Sequence, residues 1–501
     1  MSFILSVDQG TSSTRAVVID CNTGVIVAEH NVVLPSIFPQ EGWAEIQPQL
    51  ILDTTYECID TVVAAAEAAG APLDKITGLG ITNQRETTVV WDAHTGRALY
   101  NAIVWLDNRT VETVKKLVAA TPSKTATHFQ STVGLPISPY FSAVKLRWLL
   151  DNVPEVNKEG VLFGTVDSWL IWNLTRNQAE GQEGVHVTDV TNASRTMLMN
   201  LKTLDWDQDM CQFFGVSKDM LPKICSSAEI YGHIRHGKMT GKPIAGCLGD
   251  QQAALFGQHC FQRGEAKCTY GTGCFMLSNT GTDIVQSQHG LLTTVAYKVG
   301  SAPAVYALEG AVAIGGEVVR WLRDNLKIIS SSSEVEQLSD TVDSSHDLYF
   351  VPAFSGLYAP YWDPTARGLI IGITAYSHSG HIARAALEAV CFQVCEILQS
   401  MDLDSGIKLQ CLRTDGGMTQ NKQFLRMQAD ILGIPVECRA ESAEATAIGA
   451  GMAAAMALGV WNVEKLPGEV LNYMPVLGEE EREGKLARWK DAVQRSRNWV
   501  K

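Results

Sequence analysis

Val7-Asp8-Gln9-Gly10-Thr11-Ser12-Ser13-Thr14-Arg15 is a polar turn set between two apolar runs, residues 3–7 and 15–19. Strand, tight turn and strand make a β-hairpin, closed off by a second turn at Asn22-Thr23-Gly24. The first turn gathers a carboxylate, hydroxyls and a guanidinium. Such a turn can aim successive backbone N–H groups at phosphate oxygens while Asp8 orders Mg²⁺ through water. An ordinary hairpin turn rich in Ser and Thr is the alternative reading.

Outward from this turn, residues 48–69 have helical character. The apolar run 76–81 reads as a buried strand ending in Thr82-Asn83-Gln84-Arg85-Glu86, and helical periodicity returns over 140–150. Near residue 250 the same grammar restarts. Residues 243–248 are strand-like, Gly249-Asp250-Gln251-Gln252 opens a helix, and 267–270 lead into the small polar turn Gly271-Thr272-Gly273. A Gly/Thr turn near the start of each half suggests duplicated α/β domains, 1–252 and 253–501, facing each other across a cleft. Residues 382–401 carry one long amphipathic helix, 409–412 read as a strand, and Asp415-Gly416-Gly417 turns the chain into a helix over 422–432. The tail 478–501 reads as a solvated surface helix.

Composition narrows the class. At 501 residues the chain exceeds the size of a single core, and 46% hydrophobic content is enough to bury one in each half. Forty basic against fifty-four acidic side chains give a net charge of -14, which disfavours a nucleic-acid partner. The twelve cysteines include no Cys-x-x-Cys pair, so they read as reduced core residues of a cytoplasmic protein. No secretory pattern is seen at the start. The Ala-rich stretch 447–461 contains three glycines and is shorter than the ~20 residues of a bilayer span. It is expected to be a tightly packed core helix rather than an integral membrane segment.

Several positions could carry chemistry. Asp250, at a strand-to-helix junction, could accept a proton from an attacking hydroxyl or simply cap the helix. Gln251 follows it. Arg85 and Glu86 offer adjacent donors and acceptors to a ligand with several hydroxyls, unless they are a surface ion pair. Trp105, Tyr140 and Phe275 could wall the apolar side of such a pocket or belong to the core. Asp415-Gly416-Gly417 offers a glycine surface on which a planar base could lie. There is no P-loop, dinucleotide fingerprint or protein-kinase catalytic loop, and no H-E-x-x-H or G-x-S-x-G motif. A triphosphate would therefore have to be cradled by the two turns.

Taken together, four segments closely resemble the glycerol kinase family within the sugar-kinase superfamily. They are 7–15, Gly80-Ile81-Thr82-Asn83-Gln84-Arg85-Glu86-Thr87-Thr88, Gly249-Asp250-Gln251-Gln252-Ala253-Ala254 and Thr269-Tyr270-Gly271-Thr272-Gly273-Cys274-Phe275. Thr188-Asp189-Val190-Thr191-Asn192-Ala193-Ser194-Arg195-Thr196, Tyr306-Ala307-Leu308-Glu309-Gly310 and Asp415-Gly416-Gly417 fit in the same order, so the likeness spans about 3–465. The phosphate turns are common to the superfamily, whereas Asn83 to Thr88 points to glycerol.

The resemblance implies an actin-like ATPase fold of two ribonuclease-H-like domains, with ATP and Mg²⁺ as cofactors and glycerol as acceptor. It implies that Arg85, Glu86, Tyr140, Asp250 and Gln251 bind glycerol, with Trp105 and Phe275 on its carbons and Asp250 as general base. It assigns phosphates to Thr11, Ser12, Ser13, Arg15, Thr272 and Gly316, adenosine to Gly417, Met418 and Asn421, and Mg²⁺ to Asp8. A homodimer or tetramer is a further expectation of the family. Arg320 stands where bacterial members often have Gln. The loop 231–242 lacks the glycine-rich, Arg-containing form linked to sugar-bisphosphate inhibition, so no such regulation is expected. A kinase for another polyol or sugar, such as xylulose or gluconate, and a nucleotide-binding scaffold ATPase are the rival readings.

Overall fold

The computed structural model of the chain describes residues 1–177, 181–439 and 444–500. Two mixed sheets organise it. The first contains β1 (Phe3–Gln9), β2 (Ser13–Asp20), β3 (Ile26–Val33), β4 (Ile76–Asn83), β5 (Ala228–His233) and β6 (Pro243–Gly249), in the order β5-β6-β4-β1-β2-β3. The second contains β7 (Ala266–Tyr270), β8 (Cys274–Gly281), β9 (Leu292–Tyr297), β10 (Val305–Val312), β11 (Leu412–Asp415), β12 (Val436–Arg439) and β13 (Val470–Tyr473), in the order β9-β10-β8-β7-β11-β12-β13.

The two sheets repeat one wiring. A central strand pairs antiparallel with the next strand through a tight turn, β1 with β2 and β7 with β8. The same central strand pairs parallel with a later one, β1 with β4 and β7 with β11. A further parallel partner follows, β6 beside β4 and β12 beside β11. The suggested duplication is thus present in the topology. Central strands covered on both faces read as largely apolar runs, and Ile4, Leu5 and Val7 are fully buried.

Helices follow the sequence periodicity: α1 (Pro48–Ala68), α2 (Ser142–Asn152), α3 (Asp250–Gly257), α4 (Ser379–Ser405), α5 (Lys422–Leu432), α6 (Ala445–Ala457) and α7 (Glu479–Ser496). The expected strand over 409–412 instead begins at Leu412, whose register is fixed by Ala266 on one side and Val436 on the other. Its other residues, Arg413, Thr414 and Asp415, are polar and gave no apolar signal.

Helix α6 ties the halves together. Although it follows β12 in the chain, it lies across β1, β4 and β6 of the first sheet and against α3. Only small residues allow this approach: a Cβ on Gly449 would stand 1.9 Å from the Ala253 carbonyl oxygen. Among the described residues no helix is long and apolar enough to cross a membrane.

Candidate active site

Parallel strands in an open α/β sheet bring their carboxyl ends to one edge, where ligands bind. Here Gln9, Asn83 and Gly249 are aligned across β1, β4 and β6. The residues at or just past these ends are Asp8, Arg85 with Glu86, and Asp250. In the second sheet, Thr269 aligns with Asp415, so the turn after β7 and the loop after β11 also lie together. In the first turn Gly10 N–H donates to the Ser13 carbonyl at 2.9 Å, and in the second Gly271 N–H donates to the Gly273 carbonyl at 2.9 Å.

Arg85 and Glu86 do not form the surface pair that was the alternative. Both are buried and each has a different partner. Arg85 donates through both Nη atoms to Glu309, at 2.5 and 3.0 Å, and its Nε lies 3.2 Å from Asp250 Oδ1. Arg195 Nε donates to Glu86 Oε1 at 2.6 Å, and Arg195 Nη2 to Glu309 Oε1 at 3.1 Å. Burial works against the Glu309 charge, but Arg195 and Arg85 hold its carboxyl down at about 2.

Asp250 is the first residue of α3, with Gly249 in the capping position, so it does not cap the helix. Its Oδ1 also accepts Gln251 N–H at 2.8 Å. Burial raises its carboxyl above the usual range, with Arg85 opposing. Gln251 Oε1 accepts Lys267 Nζ at 2.5 Å. Behind Asp250, Thr191 Oγ1 accepts Gly249 N–H at 2.8 Å, and Asn192 and Asn83 exchange side-chain hydrogen bonds. These bonds fix the ends of β6 and β4 relative to each other.

The aromatic wall is also assembled. Trp105 meets Tyr140 edge-on at 5.7 Å and Phe275 at 6.1 Å between ring centroids, and Arg85 lies over Phe275 at 6.0 Å. Trp105 Nε1 donates to Thr11 Oγ1 at 2.9 Å, so the wall touches the first turn. Ser12 is exposed and Ser13 half-buried at that turn, and Arg15 pairs with Glu444.

Burial, reinforced by Asp250 and opposed by Arg15, pushes the Asp8 carboxyl up to about 7. The Asp8 carboxylate, with the Asp250 carboxylate near enough to raise it and turn hydroxyls beside it, gives a hard-oxygen donor set of the kind that suits Mg²⁺. Asp8 and its surroundings therefore fit such an ion.

A cavity of about 580 Å³ opens on the second sheet's side, lined by Thr272, Gly316, Gly417, Met418 and Asn421 together with Arg320. The backbone passes close here because Gly416, at φ 96°, would place a Cβ 2.5 Å from the Tyr270 carbonyl oxygen. Arg320 is exposed and turned onto Glu317 at 2.7 Å. The site residues read from the sequence thus fall into two adjoining groups, one around Arg85 and Asp250 and one around this cavity.

The family models for the FGGY carbohydrate kinases match twice, the N-terminal domain over residues 3–257 and the C-terminal domain over 266–458. The chain belongs to the FGGY family of carbohydrate kinases. Within this FGGY family it is 50% identical to a glycerol kinase from Brucella anthropi, over 99% of both chains. It is 48% identical to a glycerol kinase from Saccharopolyspora erythraea, over 100% of this chain and 99% of that one. The crystal structure of a Plasmodium falciparum glycerol kinase with ADP superposes with a TM-score of 0.89 at 38% identity, covering 99% of this chain and 98% of that one.

Sequence reading left Glu309 and Arg195 without roles. A glutamate inside the apolar strand VYALEGAV was the available signal, because a buried charge demands a partner.

Proposed function

We propose that this FGGY kinase transfers the γ-phosphoryl group of ATP to a hydroxyl of glycerol, giving glycerol 3-phosphate. The observation that carries the reading is the polar pocket itself. Arg85, Glu86 and Asp250 sit at aligned strand ends beside the Trp105–Tyr140–Phe275 wall, so charged groups for hydroxyls and an apolar face for carbons stand together. The full-length likeness to glycerol kinases supports glycerol as the acceptor.

In this account Arg85, Glu86, Tyr140 and Gln251 orient the hydroxyls, while Trp105 and Phe275 cover the carbons. Asp250 takes the proton of the attacking hydroxyl, its raised carboxyl being suited to a base. Phosphoryl transfer asks the protein chiefly for alignment and charge neutralisation. Arg15 and the N–H groups of the two turns supply these, with Thr11, Ser12, Ser13, Thr272 and Gly316 at the phosphates. Gly417, Met418 and Asn421 hold the adenosine. Asp8 would hold Mg²⁺, which supplies charge neutralisation at the phosphates. We assign polyol binding mainly to residues 1–252 and nucleotide binding mainly to 253–501.

The test is kcat/KM on a panel of glycerol, xylulose, gluconate and longer polyols. Glycerol should lead by a wide margin, since buried donors left unpaired discriminate by up to about 10⁴–10⁵-fold. A pentulose or aldonate preferred over glycerol would overturn the substrate assignment.

A further inference from the structure

Glu309 comes from β10 of the second sheet, yet its partners belong to the first half of the chain. It is fully buried. One oxygen accepts Arg85 Nη1 and the other accepts both Arg85 Nη2 and Arg195 Nη2. Arg195 in turn fixes Glu86, and its guanidinium lies 5.8 Å from the Tyr140 ring centroid and 5.4 Å from that of Phe141. A single carboxylate therefore stands behind Arg85, Glu86 and Tyr140.

The geometry bears on Asp250 as well. A guanidinium prefers a carboxylate on two parallel N–H bonds. Glu309 occupies the Nη face of Arg85, and Asp250 is left with the Nε edge at 3.2 Å. Glu309 and Glu86 offset the two arginines, and Lys267, the other cation acting on Asp250, donates to Gln251 Oε1 and Thr269 Oγ1 instead of to that carboxylate. Without Glu309, Arg85 would face Asp250 as its nearest anionic partner.

We infer that Glu309, acting through Arg85 and Arg195, is the positioning residue that sets the polyol-binding groups and keeps Asp250 from being clamped by Arg85. The inference rests on the polyol-kinase reading of the site. It makes polyol binding depend on a residue supplied by the opposite half of the molecule.

The test is steady-state kinetics of the full chain carrying Glu309→Gln, which keeps length and shape and removes the charge. The glycerol KM should rise at least about tenfold, in line with loss of charged hydrogen bonds, and kcat should fall while the ATP KM stays at the parental value. Glu309→Asp, which keeps the charge on a shorter stem, should lie between the parent and Glu309→Gln, and it decides the matter if Glu309→Gln does not fold. A parental glycerol KM in Glu309→Gln would overturn the inference. So would equal increases in the glycerol and ATP KM values with a lowered Tm, which mark a merely structural residue. A parent with no glycerol-dependent turnover would instead refute the polyol reading itself, and this inference with it.

Discussion

Asp250 meets Arg85 edge-on, Oδ1 lying 3.2 Å from Nε. The Gln251 N–H also falls on Oδ1, so Oδ2 is the oxygen left to take a proton. The side chain is 29% exposed, open enough for a substrate hydroxyl to reach it. Asp250→Asn keeps the volume and removes the acceptor. It should lower kcat by roughly 10²–10⁴-fold while nucleotide binding and Tm are retained. Rapid-quench or coupled turnover with parallel ADP titration measures both, and a near-parental kcat would remove Asp250 from the role of base.

Asp8 carries a pH dependence whose sign is fixed by its raised carboxyl. A metal needs the ionised form, so Mg²⁺-dependent nucleotide binding should weaken as pH falls below about 7. In the metal-free protein the folded state favours the neutral form. The stability this contributes is complete below the unfolded value near 3.8 and is lost as pH rises towards about 7. Asp8→Asn should therefore raise the metal-free Tm at pH 8 and flatten the pH dependence of Mg²⁺–nucleotide affinity. Differential scanning fluorimetry with and without Mg²⁺ checks both.

The crossing of α3 and α6 predicts a large stability effect from one methyl group. The Cβ of Gly449→Ala would collide with the Ala253 carbonyl, a backbone atom that cannot swing away, at a cost of about 1–3 kcal/mol or more. Gly484→Ala on the exposed face of α7 meets nothing within 4 Å and should stabilise by roughly 0.5–1 kcal/mol. Urea denaturation of the two variants separates these opposite outcomes.

Gly417 faces open space in the 580 Å³ cavity, where an added Cβ meets no protein atom within 4 Å. Gly417→Leu should fill the place proposed for the nucleotide without straining the fold. The ATP KM should rise on the order of tenfold, the scale of a misfitted apolar group, with the glycerol KM and Tm unchanged. An unchanged ATP KM would move the adenosine elsewhere.

The hairpin turns were legible because turn chemistry is local: small polar residues between apolar runs specify a tight connection wherever they stand. Strand β4 and helix α5 were legible from periodicity and length. The partners of those elements were not. Nothing around Ala445 to Ala457 says that α6 lies on the first sheet, although its alanines and glycines signalled close packing. Glu309 and Arg195 stayed without roles because each is a buried charge, one in a strand and one in a turn, whose meaning depends on the opposite charge more than a hundred residues away. Arg85 and Glu86 were singled out together, but that each binds a different partner followed only from the fold.

Phosphoryl transfer to glycerol is the reaction proposed for this site. It is tested most directly by measuring ADP release from ATP and Mg²⁺ with and without glycerol, and identifying the phosphorylated product. ADP release should depend on glycerol and yield glycerol 3-phosphate in equal amount; ADP release at the same rate without glycerol, or no phosphorylated glycerol, would contradict the proposed reaction.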